Sequence, residues 1–135
     1  MELTDATSRT AGTLLVAIAA VEYGGIFMFA ILRGKKQFTG FQTASFRAGH
    51  AHAGVLLILS LVALLYADTL ELTGLTRVVA RSAIPLAAIL MPAGFFFGAM
   101  GRGRTGPNRF MSLVYLGALS LATGVVTLGV ALLTA

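Results

Sequence analysis

From Phe110 to Thr134 the chain carries no charged residue at all. A helix needs about 20 mostly apolar residues to cross the hydrocarbon of a bilayer, and this run is long enough. Three earlier stretches have the same character, so the chain divides into spans at about 10–32, 43–67, 81–100 and 110–134. Lipid offers no hydrogen bonds to a bare backbone, so each span must satisfy its own, and helices are the default. The fold class that follows is all-α: a polytopic membrane protein forming a four-transmembrane-helix bundle, with residues 1–135 as a single transmembrane domain. Composition agrees, with 57% hydrophobic and 11% charged residues against about 25% charged in soluble domains. Mean hydropathy is +0.89.

The connections "RGKKQFTGFQ", "DTLELTGLTRVV" and "GRGRTGPNR" hold the Gly, Pro and charged residues that mark breaks. Arg33, Lys35 and Lys36 lie in the first, with Arg47 just beyond; Arg102, Arg104 and Arg109 lie in the third. The second mixes Asp68 and Glu71 with Arg77 and Arg81. Loops one and three share a side in a four-span chain, so the positive-inside rule places them in the cytoplasm, with both termini outside. Arg9 and Arg81 count mildly against that orientation. The start, "MELTDATSR", has Glu2 and Asp5 ahead of a single Arg9, unlike a secretory n-region, so the first apolar run reads as a retained span. The net charge of +5 is therefore explained by topology and contact with anionic lipid. No basic domain with a stacking surface is present, which argues against nucleic acid as a partner.

With no cysteine, disulfides and thiolate metal sites are excluded. No Trp is present, so Tyr23, Tyr66 and Tyr115 would supply what aromatic belt there is. No phosphate loop, Ser-His-Asp set or carboxylate pair appears, and enzymatic chemistry would have only Glu22, His50, His52 and Arg47 to use. An enzyme is thus the less favoured reading.

The halves of the chain show a faint repeat. A shift that carries Gly25 onto Gly94 also carries Ala30 onto Ala99, Arg33 onto Arg102, Gly34 onto Gly103 and Lys35 onto Arg104. True duplication would give two parallel helical hairpins about a pseudo-twofold along the membrane normal; chance would give the same apolar-then-basic pattern. The polar groups belong to one half. Glu22 aligns with Met91, His50 with Leu119 and His52 with Leu121.

Ionisable residues inside a span are costly and mark candidate sites. With the first loop's midpoint near Phe38, antiparallel helices set Glu22 level with Gly54, about half a turn from His52 and one turn from His50. A Glu22–His contact is expected. His50 and His52 are two apart, so they point about 200° from each other and cannot chelate one ion from an unbroken helix. Any metal would take His50 or His52, not both. His50 shares a face with Arg47 and Gly54, and His52 with Ala48 and Gly49.

Four uses remain open. The Glu–His pair could simply glue helices. His50 or His52 could ligate haem, with Met91 as second ligand. Glu and His could relay protons, in a transporter or channel formed by an oligomer. Or a quinone, lipid or other amphipathic ligand could sit between helices, anchored by Glu22, His50 or Tyr23, with Arg47 at a headgroup phosphate. The leading expectation is a ligand- or cofactor-binding membrane protein or an accessory subunit of a larger membrane complex. A purely structural helper comes last.

Smaller features carry local expectations. "GFFFG" (94–98) should seat a helix of the same chain rather than a second copy. Pro85 and Pro92 should kink the third span. Thr123 and Thr127 should bond back to their own helix, and Asn108 should cap the fourth.

The chain resembles a family of small uncharacterised bacterial four-span integral membrane proteins. The resemblance rests on "VEYGGIF" (21–27), "FRAGHAHAGVLLILSLVALLYAD" (46–68) and "GVVTLGVAL" (124–132), with "FRAGHAHAG" the most specific. It implies this architecture and a bacterial inner membrane, and brings no activity.

Overall fold

The computed structural model describes residues 3–135. It contains α1 (Asp5–Leu32), α2 (Gly40–Asp68), α3 (Gly74–Gly98) and α4 (Ser112–Leu133), with a 3-10 turn at Arg109–Met111 leading into α4. No strand occurs among the described residues. All four helices are long and apolar enough to cross a membrane.

The starts of α1 and α2 lie where capping chemistry puts them, outside the apolar run. Thr4 accepts from the Thr7 amide at 3.3 Å, so α1 begins well before residue 10, with Asp5 in the first turn favoured by the dipole. Its other end closes on a Schellman turn. Gly34 has φ +70°, its amide donates to Ile31, and the Lys35 amide donates to Ala30. At α2, Thr39 and Gln42 form a capping box. The largest departure is α3, which starts at Gly74 rather than near 81. Arg77 and Thr76 gave that stretch the polarity of a loop, but nothing in it breaks a helix. The helix then continues through both Pro85 and Pro92.

Packing is uneven. α3 lies along both α2 and α4, while α1 lies along α2 alone. The core joins Leu14 of α1 to Leu56, Leu57 and Leu64 of α2 and to Ala88 and Met91 of α3. The α3–α4 contact is zipped by glycines from both sides. Gly94 abuts Val114, Gly98 abuts Met111, Gly117 abuts Met91 and Gly124 abuts Ile84. "GFFFG" thus seats a helix of its own chain, as its spacing implies. Ser120 adds a hydrogen bond across the same interface, donating to the Ala83 carbonyl at 2.8 Å. Thr123 bonds back to Leu119 at 2.8 Å, whereas Thr127 lines a groove beside loop 2.

Polar ties hold the two ends. At the loop-2 end, Arg81 of α3 donates to Asp68 at the end of α2 and to Thr7 of α1, and the Thr4 amide donates to Asp68 at 3.1 Å. Arg81, which sat awkwardly in the charge count, is neutralised by this pair. At the loop-1 end, the buried Gln42 amide donates to the carbonyls of Ala99 (3.1 Å) and Gly101 (2.7 Å), and Thr39 donates to Arg104. Asn108 accepts from Phe110 and donates to Phe97, each at 2.8 Å, fixing the entry to α4.

Candidate functional site

The two histidines serve different interfaces, as their angular separation requires. His52 turns to α3. Its ring centroid lies 5.0 Å from that of Phe95, and Nδ1 donates to the Ala48 carbonyl at 2.8 Å. A carbonyl only accepts, so the proton sits on Nδ1. That ring is largely spent on structure.

His50 turns to α1 and lies over two glycines. A Cβ at Gly24 would stand 3.6 Å from the ring's Nδ1, and one at Gly25 would stand 3.8 Å from Nε2. A methyl fits at either position, but a larger side chain would displace the ring. Half-buried, His50 makes no hydrogen bond to any described residue, so both ring nitrogens are uncommitted.

His50 forms the inner end of a groove of about 710 Å³ between α1 and α2, at the loop-1 end. From α2 come Thr43, Arg47 and His50, which share one helix face at spacings of four and three. From α1 come Gly25, Met28, Phe29, Ile31 and Leu32, and from the loop come Lys36, Gln37 and Phe38. One wall is therefore polar and cationic, and the other apolar. The loop is held over the groove by an aromatic cluster: Phe38 meets Phe46 at 5.1 Å and Phe27 at 5.8 Å, and Phe46 stacks on Phe96 at 5.8 Å. Lys36 lies over the Phe27 ring at 5.1 Å and Arg33 over Phe29 at 4.2 Å.

The field at this end has one sign. Acidic residues are absent from 23–67 and from 72–135. The single ion pair among the described residues, Arg81–Asp68, lies at the opposite end. Arg47 has no hydrogen bond within the described chain, in contrast to Arg81 and Arg104, which are engaged.

The other expected site residues stand apart from this groove. Glu22 is exposed and forms neither a hydrogen bond nor an ion pair with either histidine, so the expected Glu–His contact is corrected. The register is within about two residues of the expected one, since His50 lies over Gly24 and Gly25. Azimuth separates the two groups: α1 turns inward the stripe of Leu14, Val21, Gly24 and Gly25, and Glu22 stands off it, exposed. Tyr23 is 77% exposed and points outward. Met91 is buried in the core against Gly117, so it and His50 do not flank a common slot. No cluster of three or more His, Cys, Asp or Glu that could hold a metal occurs among the described residues.

Lys36, Gln37, Thr43 and the phenylalanine cluster escaped the sequence reading as site components. The Thr39–Gln42 spacing is a capping-box signal that would have fixed the start of α2 and the length of the loop carrying Lys36. No protein-family model, curated protein or solved structure matches the chain.

Proposed function

We propose that this is a small integral protein of a bacterial cytoplasmic membrane, with loops 1 and 3 inside, that binds an amphipathic ligand in the α1–α2 groove. One observation carries the reading. A histidine with both nitrogens uncommitted sits one turn from an unbonded arginine, facing a wall of apolar side chains. Ligand sites are mostly apolar with a few placed polar groups, and this groove has that make-up. Haem draws less support, because Met91 is consumed in the core. A proton relay would need Glu22 joined to a histidine.

The test is to purify the protein in mild detergent and identify retained small molecules by mass spectrometry. The same extract is made from Arg47→Ala and His50→Ala variants. A stoichiometric amphipathic molecule depleted from both variants supports the reading; identical extracts from all three proteins sink it.

Glu22 favours a second reading alongside the first, that of an accessory subunit. An exposed carboxyl well inside an apolar helix asks for a partner, and α1 has only α2 beside it. A shift of the native complex to a smaller size in Glu22→Leu membranes would support it, and an unchanged size would count against it.

A further inference from the structure

We infer that the groove's ligand is a phosphate-bearing lipid, with the phosphate held between Lys36 and Arg47 and the polar atoms below it meeting His50. This inference rests on the ligand-binding reading above and specifies its chemistry.

Lys36 and Arg47 both line the groove, one from the loop after α1 and one from α2. Neither forms an ion pair with a described residue, and no acidic residue lies anywhere near them in sequence. Two cations beside an apolar wall, with no counter-ion supplied by the chain, fit an anionic head. A quinone head is neutral: its carbonyls can accept from such donors but leave both positive charges uncompensated. A carboxylate would be satisfied by Arg47 alone. A phosphate has enough acceptor oxygens for a forked arginine contact and a lysine together.

Preorganisation points the same way. The Phe27 ring under Lys36, itself packed on Phe38 and Phe46, restrains the ammonium. The Gln42 and Thr39 bonds to loop 3 fix the first turn of α2, two turns before Arg47. The volume suits a headgroup with the start of its chain. The remaining hydrocarbon would lie along the exposed faces of Leu32, Phe29 and Ile26.

Basic residues beside a membrane also gather anionic lipid without a site, at about 1 kcal/mol each. Arg102 supplies the comparison, being exposed at the same end but on loop 3, outside the groove. The experiment titrates purified detergent-solubilised protein with phosphatidic acid, with diacylglycerol of the same chains, with inorganic phosphate and with a short-chain quinone, using native mass spectrometry. Phosphatidic acid is expected to bind one per chain, ahead of the other three. Arg47→Gln and Lys36→Gln should each weaken it about tenfold, the scale of one charged hydrogen bond. Arg102→Gln should not, and Arg47→Lys should recover part of the loss. Equal losses in Arg102→Gln and Arg47→Gln would overturn the site in favour of a diffuse field. Inorganic phosphate binding as tightly as the lipid would overturn the lipid. Diacylglycerol or quinone bound as well as phosphatidic acid, and lost in His50→Ala, would overturn the phosphate and leave the amphipathic groove standing. Binding of none of the four would remove both readings. Arg47 and Lys36 are exposed and unbonded, so their variants should fold, and matching circular dichroism and melting curves check that they do.

Discussion

Gly94 of α3 lies so close to Val114 of α4 that an added Cβ would stand 2.6 Å from the Val114 nitrogen and 2.7 Å from its Cγ2. Backbone cannot step aside as a side-chain tip can. Gly94→Ala should therefore destabilise the bundle by about 1–3 kcal/mol, the usual range for overpacking. Gly54 on α2 has nothing within 4 Å of its added Cβ. Gly54→Ala should be neutral or stabilising by up to about 1 kcal/mol, from helix propensity alone. Equilibrium unfolding in mixed detergent and dodecyl sulfate micelles compares the two; a Gly94→Ala protein as stable as Gly54→Ala would contradict the packing.

The Arg81–Asp68 pair joins α3 to the end of α2 with the Asp68 side chain only 1% exposed. Removing Arg81 leaves the Asp68 carboxylate with Thr4 alone. Arg81→Ala should cost about 1–3 kcal/mol, the range for losing a charged hydrogen-bond partner. The double variant with Asp68→Asn should cost clearly less than the two single losses combined. Strict additivity in the same unfolding assay would show that the pair does not couple.

Gln42 is buried and gives its amide protons to two loop-3 carbonyls. Gln42→Leu leaves both acceptors unpaired, at about 1–3 kcal/mol. The loosening should be local. Trypsin should cut after Arg102 or Arg104 faster in Gln42→Leu than in the wild type, and equal cleavage rates would count against the tie.

The two histidines should separate stability from binding. His52→Ala loses the bond to Ala48 and the contact with Phe95, and should cost about 1–2 kcal/mol. His50→Ala removes no hydrogen bond and should stay within about 0.5 kcal/mol of the wild type. Melting curves of the two variants in detergent decide it; a larger loss in His50→Ala would make that ring a structural residue.

Orientation is open to direct measurement because the chain has no cysteine. Gln37→Cys and Glu71→Cys place single thiols at exposed positions on loops 1 and 2. A membrane-impermeant maleimide applied to intact cells should label Glu71→Cys, and should label Gln37→Cys only after lysis. The reverse pattern would invert the protein.

The four helices were legible because bilayer crossing is a demand on length and hydrophobicity, both plain in the sequence. Their ends were less so, because apolar content stops where the lipid stops and a helix does not. Thr4 and Thr39 start α1 and α2 inside stretches that look like connection. The opposed histidines followed from helical angle alone. The Glu22 contact failed because level placement of two backbones ignores azimuth, and Glu22 stands off the stripe that α1 turns inward. The groove itself was invisible, since Lys36 reaches it only through the turn at Gly34 and the ring contacts of Phe27, Phe38 and Phe46. Those are relations between segments, and spacing within a segment does not encode them.

α1 runs along α2 alone and touches α3 only near Thr7 and Leu14, and its outward side chains, Leu15, Val16, Ile26 and Phe29 among them, stay uncovered by protein. Its surroundings are then mostly whatever amphiphile the protein is dissolved in. Local opening is cheapest where buried contacts are fewest, so α1 is the helix a harsh detergent detaches first. The groove is lost with it, while α2, α3 and α4 remain folded. A preparation can thus keep its helical spectrum and its monodispersity and have already lost the α1–α2 groove, which makes the choice of solubilising agent part of the chemistry.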